Sequence, residues 1–178
     1  VNNEIGKPYF LYVGSRVDYK NFKLLLDSFS SWEFKNKYDL LCIGGGNFKE
    51  EEVFYIDKLG LSDNVFYLEN VCDYDLVYYY NCAEAFIYPS LYEGFGMPIL
   101  ESIACGTPVI CSDIEIFREI GKDLPLFFKD KNGLLECLNK VVSGYEFGDR
   151  EYANLINNYS WRETTSKTFE FYKKILKK

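Results

Sequence analysis

The stretch LYEGFGMPILESIACGTPVI, residues 91–110, sets Glu93 and Glu101 on either side of a Gly-Phe-Gly turn that runs on into an apolar, helix-like segment. Gly94 and Gly96 permit a backbone in which several amides point outward together. Pro98 suits the first turn of a helix, where its missing N–H costs nothing. Free amides at a helix start make an anion site. Glu101 is expected within the first turn or so of that helix, where a carboxylate can accept hydrogen bonds from vicinal hydroxyls, as the acidic residue of dinucleotide folds does with ribose. Glu93 would face a different part of the same ligand. Each residue taken singly also has an ordinary explanation, because the helix dipole favours acids near its N-terminus and a loop glutamate can simply be solvated.

Two other turns hold suitable residues. In VGSRVDYKN, residues 13–21, Gly14 permits a sharp turn while Arg16 and Lys20 supply two cations that could clamp a diphosphate, one as a planar fork and one as a point charge. Such cations in a polar loop are equally often just solvated. Gly44, Gly45 and Gly46 would let a ligand approach the backbone closely, and a tight turn explains them as well.

Composition removes several kinds of chemistry. The chain has no histidine, so proton transfer near neutral pH must fall to a carboxylate or to another domain. Six cysteines without a Cys-x-x-Cys pair argue against a metal site, and free thiols in a reducing cytoplasm are the expectation. A net charge of −7, with no dense block of Lys and Arg, argues against a nucleic-acid footprint. No apolar run approaches membrane-spanning length and no signal peptide opens the chain, so no membrane segment is expected. With 48% hydrophobic and 26% charged residues, the 178 residues read as one soluble globular domain, 1–178, whose many aromatics serve its interior.

These turns need elements to hold them. Short apolar runs alternate with amphipathic helix-length stretches, the pattern of consecutive βα units on a parallel sheet. Strands are expected at 9–14, 38–46, 64–71, 83–90, 107–113 and 124–128. Helices are expected at 21–32, 49–59, 98–105, around 117–120 and at 133–142, with another running to Asn81 and capped by Asp73. Two helices, 150–158 and 161–177, close the chain. Six such units predict an α/β fold with a doubly wound, Rossmann-like parallel sheet, whose ligands bind at the carboxyl ends of the strands near the switch in strand order. In the last helix Phe169, Tyr172, Ile175 and Leu176 recur at helical spacing and imply a packing face. Its lysines, 173, 174, 177 and 178, favour the dipole over a membrane contact.

Taken together, YFLYVGSRVDYKNF, IGGG, NVFYLENVCDYDL, AFIYPSLYEGFGMPILESIACGTPVICSD and the tail YSWRETTSKTFEFY resemble the carboxyl-terminal domain of glycosyltransferase family four, retaining transferases with two Rossmann-like domains, the GT-B fold. The resemblance covers nearly the whole chain. It implies a donor-binding domain for a nucleoside-diphosphate hexose, GDP- or UDP-linked, with mannose favoured by the family's membership. Glu93 would bond the sugar hydroxyls and Glu101 the nucleotide ribose. Gly14, Arg16, Lys20 and Gly45 would lie around the diphosphate. The backbone from Gly94 through Phe95, Gly96 and Met97 would meet sugar and phosphate, and that near Val71 the base. No protein nucleophile is evident, so the departing diphosphate would itself accept the acceptor's proton, with no metal or other cofactor required. Asn21 stands where the family often has glycine, and the spacing from Arg16 to Lys20 is short, so the shape of this loop departs from the pattern.

The resemblance also implies an amino-terminal domain carrying the glycan or glycolipid acceptor site, absent from this chain, which reads as the donor half of an enzyme working in the cytoplasm or at the inner membrane face. Without that half the final helix would expose part of its face. Two other readings compete: a nucleotide-sugar-binding or assembly module with no chemistry of its own, and a sugar-nucleotide epimerase of the same fold.

Overall fold

The computed structural model describes residues 6–145 and 149–176. Six strands form one parallel sheet: β1 (Tyr9–Val13), β2 (Asp39–Ile43), β3 (Val65–Leu68), β4 (Ala85–Tyr88), β5 (Val109–Ser112) and β6 (Leu126–Phe128). They lie in the order β3-β2-β1-β4-β5-β6, which is the doubly wound order of dinucleotide-binding sheets. The four inner strands read as near-continuous apolar runs because helices cover both of their faces.

Each strand leads into a helix: α1 (Phe22–Ser31), α2 (Glu50–Lys58), α3 (Asp73–Cys82), α4 (Met97–Ala104), α5 (Glu115–Gly121) and α6 (Lys131–Val142), with α7 (Asp149–Ile156) and α8 (Trp161–Leu176) closing the chain. One core packs α1, α2 and α6 against the sheet through Phe22, Leu25, Phe29, Ile56, Leu134 and Leu138. The other packs α3, α4, α5 and α7 through Tyr80, Ile99, Ile103, Phe117 and Tyr152. The chain changes face at α3, between β3 at one edge and β4 beside β1. That crossover opens a crevice at the carboxyl ends of β1 and β4, where the loops leave toward opposite faces.

Two local expectations change. Asp73 is the first residue of α3 and not its cap; Cys72 holds the cap position in an extended conformation, with its thiol donating to the Asp75 carboxylate at 3.2 Å. In α8 no side chain is buried, and Phe169, Tyr172, Ile175 and Leu176 are all exposed, so their spacing does not mark an internal face of this chain. Lys177 and Lys178, expected at its end, lie outside the described residues. Asn21 follows the lysine because this position has a left-handed backbone, φ 54°, which asparagine tolerates nearly as glycine does. The substitution thus preserves the turn.

Candidate functional site

The loops after β1 and β4 meet across the crevice. Leu91 N–H donates to the Tyr19 carbonyl at 2.8 Å, tying one loop to the other. Beneath that tie Lys20 Nζ pairs with Glu93 Oε1 at 2.5 Å, both side chains mostly buried. Tyr88, the last residue of β4, sits under the pair: Lys20 Nζ also reaches its hydroxyl at 3.3 Å and lies 5.1 Å from the centre of its ring. The ring is held from below by stacking on Phe117, 4.8 Å between centroids.

Burial of the Glu93 carboxylate works to raise its pKa, but hydrogen bonding from Lys20 and Tyr88, with Ser90 close by, overcomes this and holds the group below its ordinary value. The buried Ser90 hydroxyl itself meets no partner at full hydrogen-bond geometry. Burial drives the Tyr88 hydroxyl far up, so at neutral pH it remains a donor.

Beyond Glu93 the Gly94-Phe95-Gly96 turn delivers the chain into α4. Gly96 takes φ 103°, and a Cβ there would come within 3.2 Å of the Phe117 ring, so conformation and space both demand glycine. Among the described residues the amides of Phe95, Gly96 and Met97 donate to no protein acceptor. These three consecutive donors stand at the start of a helix, next to a cation, and together make an anion site.

Glu101 is the fifth residue of α4, just past the first turn and within its expected range, and no acid lies in the helix's first turn. The dipole explanation therefore loses its force, since that effect fades within the first turn. Its Oε2 accepts a hydrogen bond from the Tyr80 hydroxyl at 3.2 Å, while Oε1 has no partner among the described residues. Burial raises its pKa, Asp73 at the start of α3 raises it further, and the Tyr80 bond opposes them. Val71 is half-buried against the same core as α4, two residues before the Asp73 whose charge acts on Glu101.

Arg16 goes elsewhere. Its Nε pairs with Glu52 Oε1 at 2.8 Å, Nη1 donates to the Gly44 carbonyl at 2.8 Å, and Nη2 donates to the carbonyls of Gly46 at 2.8 Å and Asn47 at 2.9 Å. The guanidinium lies over the Phe48 ring, and the side chain is only 3% exposed. In this structure it braces the glycine loop after β2. Gly44, Gly45 and Gly46 all take left-handed conformations, and a Cβ on Gly45 would meet Arg16 Nη1 at 3.0 Å. Gly14, at φ 133°, donates its amide to the Ile43 carbonyl at 2.8 Å and so shapes the β1 turn beside this loop. Among the described residues Lys20 is the cation paired with Glu93 in the β1–β4 crevice.

Glu93 also belongs to the wall of a cavity of about 360 Å³ formed with Leu91, Tyr92, Ile114, Glu115, Ile116 and Glu119. Among the described residues no group of His, Cys, Asp and Glu is arranged to hold a metal ion. The sequence had pointed to Lys20, both glutamates and the glycine turn, but not to Tyr80, Tyr88 or Glu52. Tyr88 could have been found by its place at the end of β4; nothing singles out Tyr80 from Tyr78 and Tyr79, or Glu52 from Glu50 and Glu51.

The fold and this crevice define a doubly wound domain suited to a phosphate-bearing, hydroxyl-rich ligand. The family model for glycosyl transferases group 1 matches residues 2–158, and the chain belongs to that family. It is 32% identical over 174 residues to the O-antigen chain mannosyltransferase B of Escherichia coli, an alignment covering 93% of this chain and 45% of that protein. Among solved structures, it superposes on a sucrose-phosphate synthase from Thermosynechococcus elongatus with a TM-score of 0.83 at 21% identity, covering 97% of this chain and 46% of the other. It also superposes on the C-terminal domain of a group 1 glycosyl transferase from Francisella tularensis, with a TM-score of 0.71 at 19% identity, covering 85% of this chain and 87% of that domain. The chain thus spans about half the length of the curated relative and corresponds in fold to a carboxyl-terminal GT-B domain.

Proposed function

We propose that this chain holds the nucleoside-diphosphate sugar donor of a retaining hexosyltransferase, with the glycan or glycolipid acceptor held by residues outside it. The observation that carries the reading is the Lys20–Glu93 pair at the switch in strand order, followed along the same turn and helix by three amides and a Glu101 oxygen that have no partner among the described residues. The amides of Phe95, Gly96 and Met97, with Lys20, neutralise charge on the diphosphate. Glu93 accepts from the sugar hydroxyls and Glu101 from the ribose.

As the bond from sugar to diphosphate breaks, negative charge grows on the leaving oxygens, and fixed donors already aimed there stabilise that charge without reorganising. The departing diphosphate takes the proton of the incoming hydroxyl, which fits a chain without histidine and needs no metal. Arg16 contributes by holding the glycine loop in shape. A mannosyl donor is favoured by the mannosyltransferase relative.

Calorimetry of the chain with GDP and UDP tests the reading. One of them should bind, and Lys20→Ala should weaken that binding ~10- to 100-fold, the worth of a hydrogen bond to a charged group. Binding that is indifferent to Lys20→Ala would remove the diphosphate from this crevice.

A further inference from the structure

We infer that Tyr80 is a positioning residue for nucleotide recognition: its hydroxyl fixes one oxygen of Glu101 so that the other is presented to the ribose hydroxyls. The inference rests on the reading of Glu101 as the ribose acceptor and adds to it the group that makes this glutamate selective.

A carboxylate on an exposed helix rotates freely, and ordering it on binding costs rotamer entropy. Glu101 is not in that position. Tyr80 Oη donates to Oε2 at 3.2 Å from a side chain that is only 1% exposed, leaving Oε1 without a partner among the described residues.

Tyr80 is itself fixed on every side. Its ring packs edge-to-face against Phe86 of β4, 5.6 Å between centroids. Its carbonyl accepts from Thr107 Oγ1 at 2.7 Å, and the preceding carbonyl, of Tyr79, accepts from the Tyr9 hydroxyl at 2.8 Å. The end of α3 is therefore pinned both to β1 and to the loop before β5, and the hydroxyl it carries is a donor with little freedom to move. Asp73, at the other end of α3, repels the Glu101 carboxylate. Without the Tyr80 donor, nothing described here would hold that carboxylate in place against Asp73. A donor built into the core is a better support than one on a loop, because its geometry is set by packing before any ligand arrives.

The test measures ribose preference, which a purely structural role would not change. Binding of GDP and UDP, each beside its 2′,3′-dideoxy counterpart, is measured for the wild-type chain, Tyr80→Phe, Glu101→Gln and the double variant. Wild type should prefer the ribose form, Tyr80→Phe should lose ~10-fold in affinity for that form and essentially nothing for the dideoxy form, and the two substitutions should be non-additive. Equal losses for both ligands, or full preference retained in Tyr80→Phe while Glu101→Gln abolishes it, would overturn the inference and leave the ribose role of Glu101 standing. A wild type without preference, or a preference that survives Glu101→Gln, would overturn the ribose reading itself. Should Tyr80→Phe not fold, a crystal structure of the wild type with its nucleotide decides: Tyr80 must stay within hydrogen-bond distance of Glu101 while the other carboxylate oxygen meets the ribose, and a Glu101 turned away from Tyr80 would overturn the inference.

Discussion

Glu93 and Glu101 flank one glycine turn, yet their surroundings push them in opposite directions. Lys20 and Tyr88 hold Glu93 below its ordinary pKa against the effect of burial, so its charge stabilises the fold above its unfolded value, and this is lost as pH falls through the depressed one. Glu101 is raised by burial and by Asp73, so it binds its proton more tightly when folded; stability falls as pH rises through the interval between its ordinary and raised values, and the cost is complete at neutral pH. Opposite responses to one substitution follow. Glu93→Gln should destabilise the chain by about 1.5–3 kcal/mol at pH 7, because it leaves Lys20 mostly buried beside a neutral amide. Glu101→Gln should raise the melting temperature slightly while weakening nucleotide binding. Thermal melts of both variants at pH 7 check this, and a fall in melting temperature for Glu101→Gln would show that its carboxylate is not under strain. In the wild type, nucleotide affinity should begin to fall at a higher pH than an ordinary glutamate would give.

At the scale of elements, two turns are built around single residues. Gly96 combines φ 103° with the close approach of the Phe117 ring, so Gly96→Ala should cost about 1–3 kcal/mol in urea unfolding and also displace the amides of Phe95, Gly96 and Met97. An unchanged unfolding midpoint would mean that the turn relaxes without penalty. The glycine loop after β2 depends on Arg16 and Glu52 together, so Arg16→Lys and Glu52→Gln should show a coupling of about 0.5–3 kcal/mol in a double-mutant cycle; simple additivity would show that Glu52 does not hold the guanidinium. The alternation of apolar runs and amphipathic stretches makes all six strands legible in the sequence, because strands covered on both faces, as the four inner ones are, read as continuous apolar runs that stand out between the helices. Side-chain direction leaves no such mark. Arg16 and Lys20 look alike as two loop cations, and only the fold shows that one reaches back toward the β2 loop while the other stays beside β4. Likewise α3 carries Tyr78, Tyr79 and Tyr80 in succession, and which hydroxyl meets Glu101 depends on how the helix turns against β4.

For the whole molecule, α8 is the part whose place in the energetics differs most from its appearance in sequence. Its sixteen residues carry aromatic and aliphatic side chains at helical spacing, yet none is buried, and Trp161 and Leu176 are 76% and 85% exposed. Among the described residues no helix is long and apolar enough to cross a membrane, so α8 is no membrane-spanning segment. The two cores on the faces of the sheet are complete without it, since α7 closes the second with Tyr152 and Leu155. The slope of a urea transition scales with the surface exposed on unfolding. A chain ending at Ser160 should therefore unfold with the same midpoint and slope as the 178-residue chain, while its tendency to self-associate, measured by sedimentation, should fall with the loss of this exposed apolar surface. A markedly lower midpoint in the shortened chain would show instead that α8 braces the sheet, and the independence of the two-faced core from its last helix would have to be given up.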